Sequence, residues 1–431
     1  MRHAHPGLIT MPPPPTQTQQ IVDNLFRHES GRIVAVLTKI LGFERLELAE
    51  DAVQEGLLKA LQVWPYKGIP ENPAAWIMQI AKNKALDVVR RENGRDSRYQ
   101  KSLELSGPPL GFPEFFSERE IQDDQLRMMF ACCHPSLSLE AHVALILRTL
   151  CGFSEDEIAR AFLSNKETVH KRLVRAKQKL REIKAALEIP DPVSKPGRLA
   201  SVFQALYLLF NEGYKASSGA TLTRKELCDE ATRLTRILSQ HFSGDTPEAH
   251  GLLALMLFHG SRLGARTDDL GNLLLLQEQD RNSWDGKMIR EGFSELEKSA
   301  EGNVLSRYQL EAGIAACHCL APKYEDTDWA RILDLYDLLV GFNDSPIVYL
   351  NRAVALARVE GPEAGIRAIG QIRGERLEQY YLLHAVLGEF HAESGNPGAA
   401  ARCFRKALEL TQLPSERVFL TRKLEGLVGH D

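Results

Sequence analysis

At 431 residues and 44% hydrophobic content, the chain is long enough for two to four domains with their own cores. A formal net charge of -4 excludes a uniformly basic nucleic-acid binder, so any affinity for DNA must come from local patches. Seven cysteines without framework spacing, no signal-peptide pattern and no apolar run of bilayer length point to a reduced, cytoplasmic protein with no membrane anchor.

Residues 1–18 are expected to be a disordered leader, because the run Pro12 to Pro15 can build neither a helix nor a ladder. His3 and His5 offer two metal donors in principle but are ordinarily just solvated on such a tail, and Met11 is an alternative start.

Residues 19–96 read as one helical domain. The stretch ELAEDAVQEGLLKALQVW, from Glu47 to Trp64, buries Ala49, Val53, Leu57, Ala60, Leu61 and Trp64 at helical spacing. Its other face shows Glu50, Asp51, Gln54, Glu55 and Leu58 to water. Carboxylates around an exposed leucine suit a protein partner better than DNA, since they repel phosphates; a plain solvated face is the alternative. A loop, VWPYKGIPENP, precedes a helix from Ala74 to Glu92 that opens behind Pro73 and has Ile77, Ile80, Ala81 and Val88 as its core stripe. Trp76, Gln79, Asn83, Asp87 and Arg90 fall on one wet ridge, an aromatic with amides and a guanidinium, as stacking on and bonding to exposed bases requires. Lys82, Lys84, Arg90, Arg91, Arg95, Arg98 and Lys101 make the end of this helix basic.

Residues 97–125 are polar, broken by Gly107-Pro108-Pro109, and read as a linker. The apolar run from Leu126 to Phe153 opens the next domain, 126–188. Its Cys132, Cys133 and His134, with Cys151, lack finger spacing, so buried thiols packed as small hydrophobes fit better than a zinc site. From Phe153 to Arg181 the grammar is that of a helix-turn-helix. Ser154 with Glu157 forms a capping box for a short helix, and Ser164 with Glu167, or Asn165, caps a second. Val169, Leu173, Ala176 and Leu180 face the core, leaving a basic wet side. That shape enters a major groove, although a lysine-rich solvated helix has the same composition.

The motifs AEDAVQEGLLKAL, NPAAWIMQIAKNKALDVVRR and ETVHKRLVRAKQKLR, in this order, resemble regions two and four of bacterial RNA polymerase sigma factors of the compact extracytoplasmic-function type. The resemblance covers about Ile21 to Ala186, and MMFACCHPSL resembles the subgroup with a long C-terminal extension. It implies that Asp51, Gln54, Glu55 and Leu58 dock on core RNA polymerase. It also implies that Trp76, Asn83, Asp87, Arg90 and Arg91 capture flipped bases of the minus-ten promoter element, with the loop from Tyr66 to Asn72 closing over one. In region four, it implies that His170, Lys171 and Arg175 read base edges of the minus-thirty-five element while Lys166, Arg172, Lys177 and Lys179 grip phosphates. Promoter DNA and core polymerase are thus the implied partners; no cofactor or metal is implied.

Residues 189–198 are a proline-rich break, after which 199–431 read as helical throughout, making the fold all-α. Asn351 to Ile369 and Gly388 to Leu408 align at a shift of about 35 residues, close to the tetratricopeptide period, and such a surface suits a protein or peptide partner. Ile369 stands where an aromatic is usual. Asn211, Glu212 and Tyr214 read as a capped turn with buried hydrogen bonds. His259, Glu278, Asp280, Arg281 and Asp285 can be assembled as acid, base and anion clamp, but caps and ion pairs explain them as well. No nucleophile or phosphate loop accompanies them, so no enzyme is expected. The competing function is a one-component helix-turn-helix regulator with the repeats as its sensor.

Overall fold

The computed structural model describes residues 17–93, 118–162, 164–190, 196–215, 222–268, 274–302, 305–342, 344–372, 377–411 and 414–428. Residues 1–16 of the leader, 97–117 of the linker with Arg95, Arg98 and Lys101, and 191–195 lie outside them. Among the described residues there are eighteen α-helices, and the chain divides into two compact units, 1–190 and 191–431.

In the first unit α1 (Gln17–Leu41) packs against α2 (Leu46–Lys67), α3 (Pro73–Asn93) and α4 (Glu118–Cys132). Its interior positions Ile33, Val34, Val36, Leu37 and Leu41 are all buried. α2 buries Ala49, Val53, Leu57, Ala60 and Trp64 as the stripe predicts, and Leu61 is half-buried. It does not stop at Trp64. The helix runs through Pro65 to Lys67, tolerating the lost donor in its last turn, and ends where Gly68, at φ 81°, returns its N–H to the Trp64 carbonyl at 3.0 Å. Asn72 caps α3 by accepting the Ala75 N–H at 3.0 Å. The core positions of α3 are Ile77, Met78, Ala81, Ala85 and Val89; Ile80 and Val88 are only half-buried, so the stripe is rotated from the expected one. α4 begins at Glu118, inside the stretch read as linker, and buries Asp124 against Lys39 at 3.0 Å and against Arg127.

α5 (Leu139–Thr149), capped by Ser138, is buried along most of its length and supports α6 (Glu155–Ala161) and α7 (Lys166–Glu182). Cys132, Cys133 and Cys151 are buried and outside any disulfide, and burial pushes the Cys132 thiol up to about 12, with Thr149 Oγ1 3.4 Å away. Gly31 of α1 lies so close to the end of α5 that a Cβ there would stand 1.9 Å from the Leu150 carbonyl oxygen. Only glycine fits that crossing.

The second unit is a succession of helices, each packed mainly on its neighbours: α8 (Pro196–Lys215), α9 (Leu222–Ser239), α10 (Pro247–Ser261), α11 (Gly286–Ala300), α12 (Arg307–Leu320), α13 (Trp329–Val340), α14 (Pro346–Glu360), α15 (Pro362–Ile369), α16 (Tyr381–Glu393), α17 (Pro397–Leu410) and α18 (Pro414–Val428). Thr246, Ser345 and Asn396 cap helices that carry proline in the first turn. α10 is apolar nearly all round, with Leu252 to Phe258 buried continuously, and forms the centre of the first half. Its His250 is satisfied on both sides, by Glu295 at 2.5 Å and Asp245 at 2.7 Å, and the bond to Glu295 raises its pKa.

The aligned repeats pack through small residues set against aromatics. A Cβ on Gly388 would come 2.7 Å from the Phe404 ring, and one on Gly365 would come 2.6 Å from the Phe390 ring. Ile369, which stands where an aromatic is usual, shares its cluster with Phe390 of the following helix. Gly388→Ala is therefore expected to overpack the α16 and α17 contact and to cost about 1–3 kcal/mol, read as a lowered urea midpoint of the second unit. An unchanged midpoint would mean that these helices slide apart freely.

Candidate nucleic-acid interface

The helix-turn-helix is built as its capping residues dictate. The Ser154 N–H donates to Glu157 Oε2 at 2.8 Å, and the Glu157 N–H donates to Ser154 Oγ at 3.2 Å, which closes the box at the start of α6. At the start of α7 the cap is Asn165, whose Oδ1 accepts the Thr168 N–H at 2.8 Å. Val169, Leu173, Ala176 and Leu180 are all buried.

Most of the predicted groove-facing side chains are on the surface, but several are engaged. Lys166 Nζ lies 2.7 Å from Asp156, His170 Nδ1 lies 3.0 Å from Glu155, and Lys171 Nζ lies 2.6 Å from Glu167. The first two acids belong to α6, and their role was not foreseen. Exposed pairs of this kind contribute at most about 1 kcal/mol and are exchangeable for stronger anions. Arg175 and Lys179 are exposed with no ion pair among the described residues, and Arg172 is half-buried. Val174 is a 42% exposed apolar residue in this basic face.

Lys177 is a correction. Read as a phosphate contact, it is only 9% exposed and donates to Glu50 Oε2 at 2.6 Å. Glu50, read as part of the wet acidic face of α2, is buried with it. Both positions sit at the border of an apolar stripe, Lys177 between Leu173 and Leu180 and Glu50 between Leu46 and Val53. That spacing is the signal that identifies them as inward-facing. A second link, Arg181 to Glu47 at 3.6 Å, lies alongside.

On α2, Asp51, Glu55 and Leu58 are exposed, Leu58 at 57%, and Gln54 is half-buried. Lys84 of α3 approaches Glu55 at 3.5 Å. On α3, Asn83, Asp87, Arg90 and Arg91 are exposed, and Gln79 donates to Asn83 at 3.0 Å. Trp76 is half-buried, edge-on to Trp64 with centroids 5.4 Å apart, so part of its ring is already covered. Tyr66, at 89%, is among the most exposed large side chains and stands at the end of α2 beside the loop.

These two surfaces coincide with known domains. Residues 25–95 match sigma-70 region 2 and residues 127–180 match sigma-70 region 4, while residues 198–300 match a family of unknown function, DUF6596. Regions 2 and 4 in this order are the domains of a sigma factor and support a role in promoter recognition. An uncharacterized protein of Rhizobium meliloti (strain 1021) is 38% identical over 402 residues, covering 93% of this chain and 95% of its own length. The chain belongs to the same family as that protein. No helix among the described residues is long and apolar enough to cross a membrane.

Removing one member of the buried pair strands the other. Lys177→Met is expected to cost about 3–5 kcal/mol in urea denaturation, and Glu50→Gln combined with it to restore most of that loss. Equal losses in the single and double variants would show that the pair is not the source.

Proposed function

We propose that the protein is an RNA polymerase sigma factor of the extracytoplasmic-function type, acting in the cytoplasm. Asp51, Gln54, Glu55 and Leu58 dock on core polymerase, and Trp76, Asn83, Asp87, Arg90 and Arg91 hold flipped bases of the minus-ten element. His170, Lys171 and Arg175 read the minus-thirty-five element, with Lys166, Arg172 and Lys179 on phosphates. The C-terminal helices form a tetratricopeptide-like module that modulates this activity through a protein or peptide partner. Its support is the pairing of Gly365 with Phe390 and of Gly388 with Phe404 in successive helix pairs.

The observation that carries the reading is the acidic ridge around exposed Leu58, one helix before the polar ridge of α3 and in the same unit as the capped helix-turn-helix. A one-component regulator needs neither ridge. Co-purification with core polymerase, followed by run-off transcription on genomic fragments, tests it. Charge reversal at Asp51 and Glu55 is expected to weaken core binding by about tenfold or more with the circular dichroism spectrum unchanged. Co-elution at wild-type strength would remove that face from the proposal.

Salt separates anchors from readers. Lys179→Ala is expected to weaken all promoters alike and to flatten log K against log salt by about 0.9, the contribution of one phosphate contact. Arg175→Ala is expected to shift base preference in the upstream element by about 1–3 kcal/mol. Identical, sequence-blind losses at both positions would contradict the division.

A further inference from the structure

The second unit contains a cationic cluster that promoter recognition does not use. It gathers the three stretches LYLLFNEGYK, FHGSRLGAR and QDRNSWD at one place, where the C-terminal ends of α8, α10 and α12 meet the loop before α11. Tyr214 lies in the last turn of α8, so the stretch read as a capped turn is helix. Arg262 and Arg266 follow α10, their guanidinium carbons 5.7 and 3.8 Å from the Tyr214 ring centre. His259 packs on the same ring at 4.8 Å. Arg281 stands 5.1 Å from the Trp284 ring and reaches the end of α12 beside His318.

Part of this arrangement is structural. Arg266 donates to the Tyr214 carbonyl at 2.6 Å and Arg281 to the Ala321 carbonyl at 2.6 Å and the His318 carbonyl, so both cover the negative ends of helices. The three acids that accompanied these residues in an enzymatic reading are local caps: Glu278 accepts the Leu275 N–H, Asp280 the Asn282 N–H, and Asp285 the N–H groups of Lys287 and Met288. They do not neutralise the cluster. None of Arg262, Arg266 and Arg281 forms an ion pair with a carboxylate among the described residues.

Two observations remain without a structural account. Among the described residues Arg262 donates to the Tyr214 hydroxyl and to neither a carbonyl nor a carboxylate. Near it, His259 Nδ1, His318 Nδ1 and Trp284 Nε1 are buried with no hydrogen-bond partner among the described residues, and Trp284 as a whole is 6% exposed. Burial and the neighbouring guanidiniums depress both histidines, His318 to about 3, so they are neutral imidazoles at ordinary pH. Guanidinium and indole groups are donors only, and a neutral imidazole supplies one more N–H. A half-buried guanidinium with no carboxylate opposite it, next to buried N–H groups without acceptors, complements a ligand that only accepts.

We propose that this cluster is a binding site for a small oxyanion-bearing molecule, a phosphate or a carboxylate, with Arg262 as the principal contact and His259, His318 and Trp284 as accompanying donors. Arg266 and Arg281 position the helix ends around it and supply its field. The site is independent of promoter binding: except for His318 it lies within residues 198–300, the matched family of unknown function.

The test is tryptophan fluorescence of the full chain titrated with inorganic phosphate and, separately, with citrate, each against sodium chloride at equal ionic strength. A saturable change with phosphate, citrate or both is expected, and which one binds tighter tells phosphate from carboxylate. Arg262→Gln is expected to weaken it by about tenfold or more, as loss of a charge-assisted hydrogen bond does. The Lys171→Ala, Arg175→Ala variant is expected to respond as wild type, which separates this site from the basic face of α7. Where Arg262→Gln fails to fold by circular dichroism, Arg262→Lys, which keeps the charge and loses the fork, is expected to bind more weakly. Absence of any saturable change beyond chloride, or wild-type affinity in the folded Arg262 variant, overturns the proposal.

Discussion

The first unit turns on the buried contact between Glu50 and Lys177. It joins α2 of region 2 to α7 of region 4 at 2.6 Å, with both side chains about nine-tenths covered. One of the two Glu50 oxygens has no hydrogen-bond partner, so the pair is incompletely compensated for its lost hydration. Its value lies in register more than in strength. With Lys177 inward, the wet face of α7 is fixed as Lys166, His170, Lys171, Arg175 and Lys179. With Glu50 inward, the acidic ridge of α2 is fixed as Asp51, Glu55 and Leu58. The crossing of Gly31 against Leu150 has the same effect on α1 and α5, because any side chain at residue 31 would force those helices apart.

Much of this was legible in the sequence wherever a local rule had a local cause. The capping box of Ser154 and Glu157, the stripe from Val169 to Leu180 and the start of α3 behind Pro73 depend on residues within a turn of one another. Periodicity failed where long-range packing decides. Lys177 and Glu50 are charged, so composition sends them to water although each borders an apolar stripe, and their mutual contact, 127 residues apart in sequence, is what satisfies them inside. The core stripe of α3 uses Val89 in place of Val88 because the helix is rotated by its contacts with α1 and α2. The stretch VWPYKGIPENP reads as a loop, yet α2 continues through Pro65 to Lys67, since a proline in the last turn costs one bond that the helix can forgo.

In the second unit the sequence showed a period for the last repeats and none for the region before them. The physical reason is visible in α10. A helix buried on all sides carries no amphipathic pattern to repeat, whereas α15 and α17 each bury one face. The stretches around Tyr214, Arg262 and Arg281 are similarly unreadable as a group. They are 48 and 19 residues apart along the chain, and their meeting at three helix ends is a property of the stack alone.

The Glu50 and Lys177 pair also sets what it costs to part region 2 from region 4, because any separation of α2 from α7 must break it. A joint made of apolar side chains would expose its whole surface on opening, at about 25 cal/mol per Å². An ion pair instead recovers the hydration of two charges as it parts, so the opening is cheap relative to the buried area.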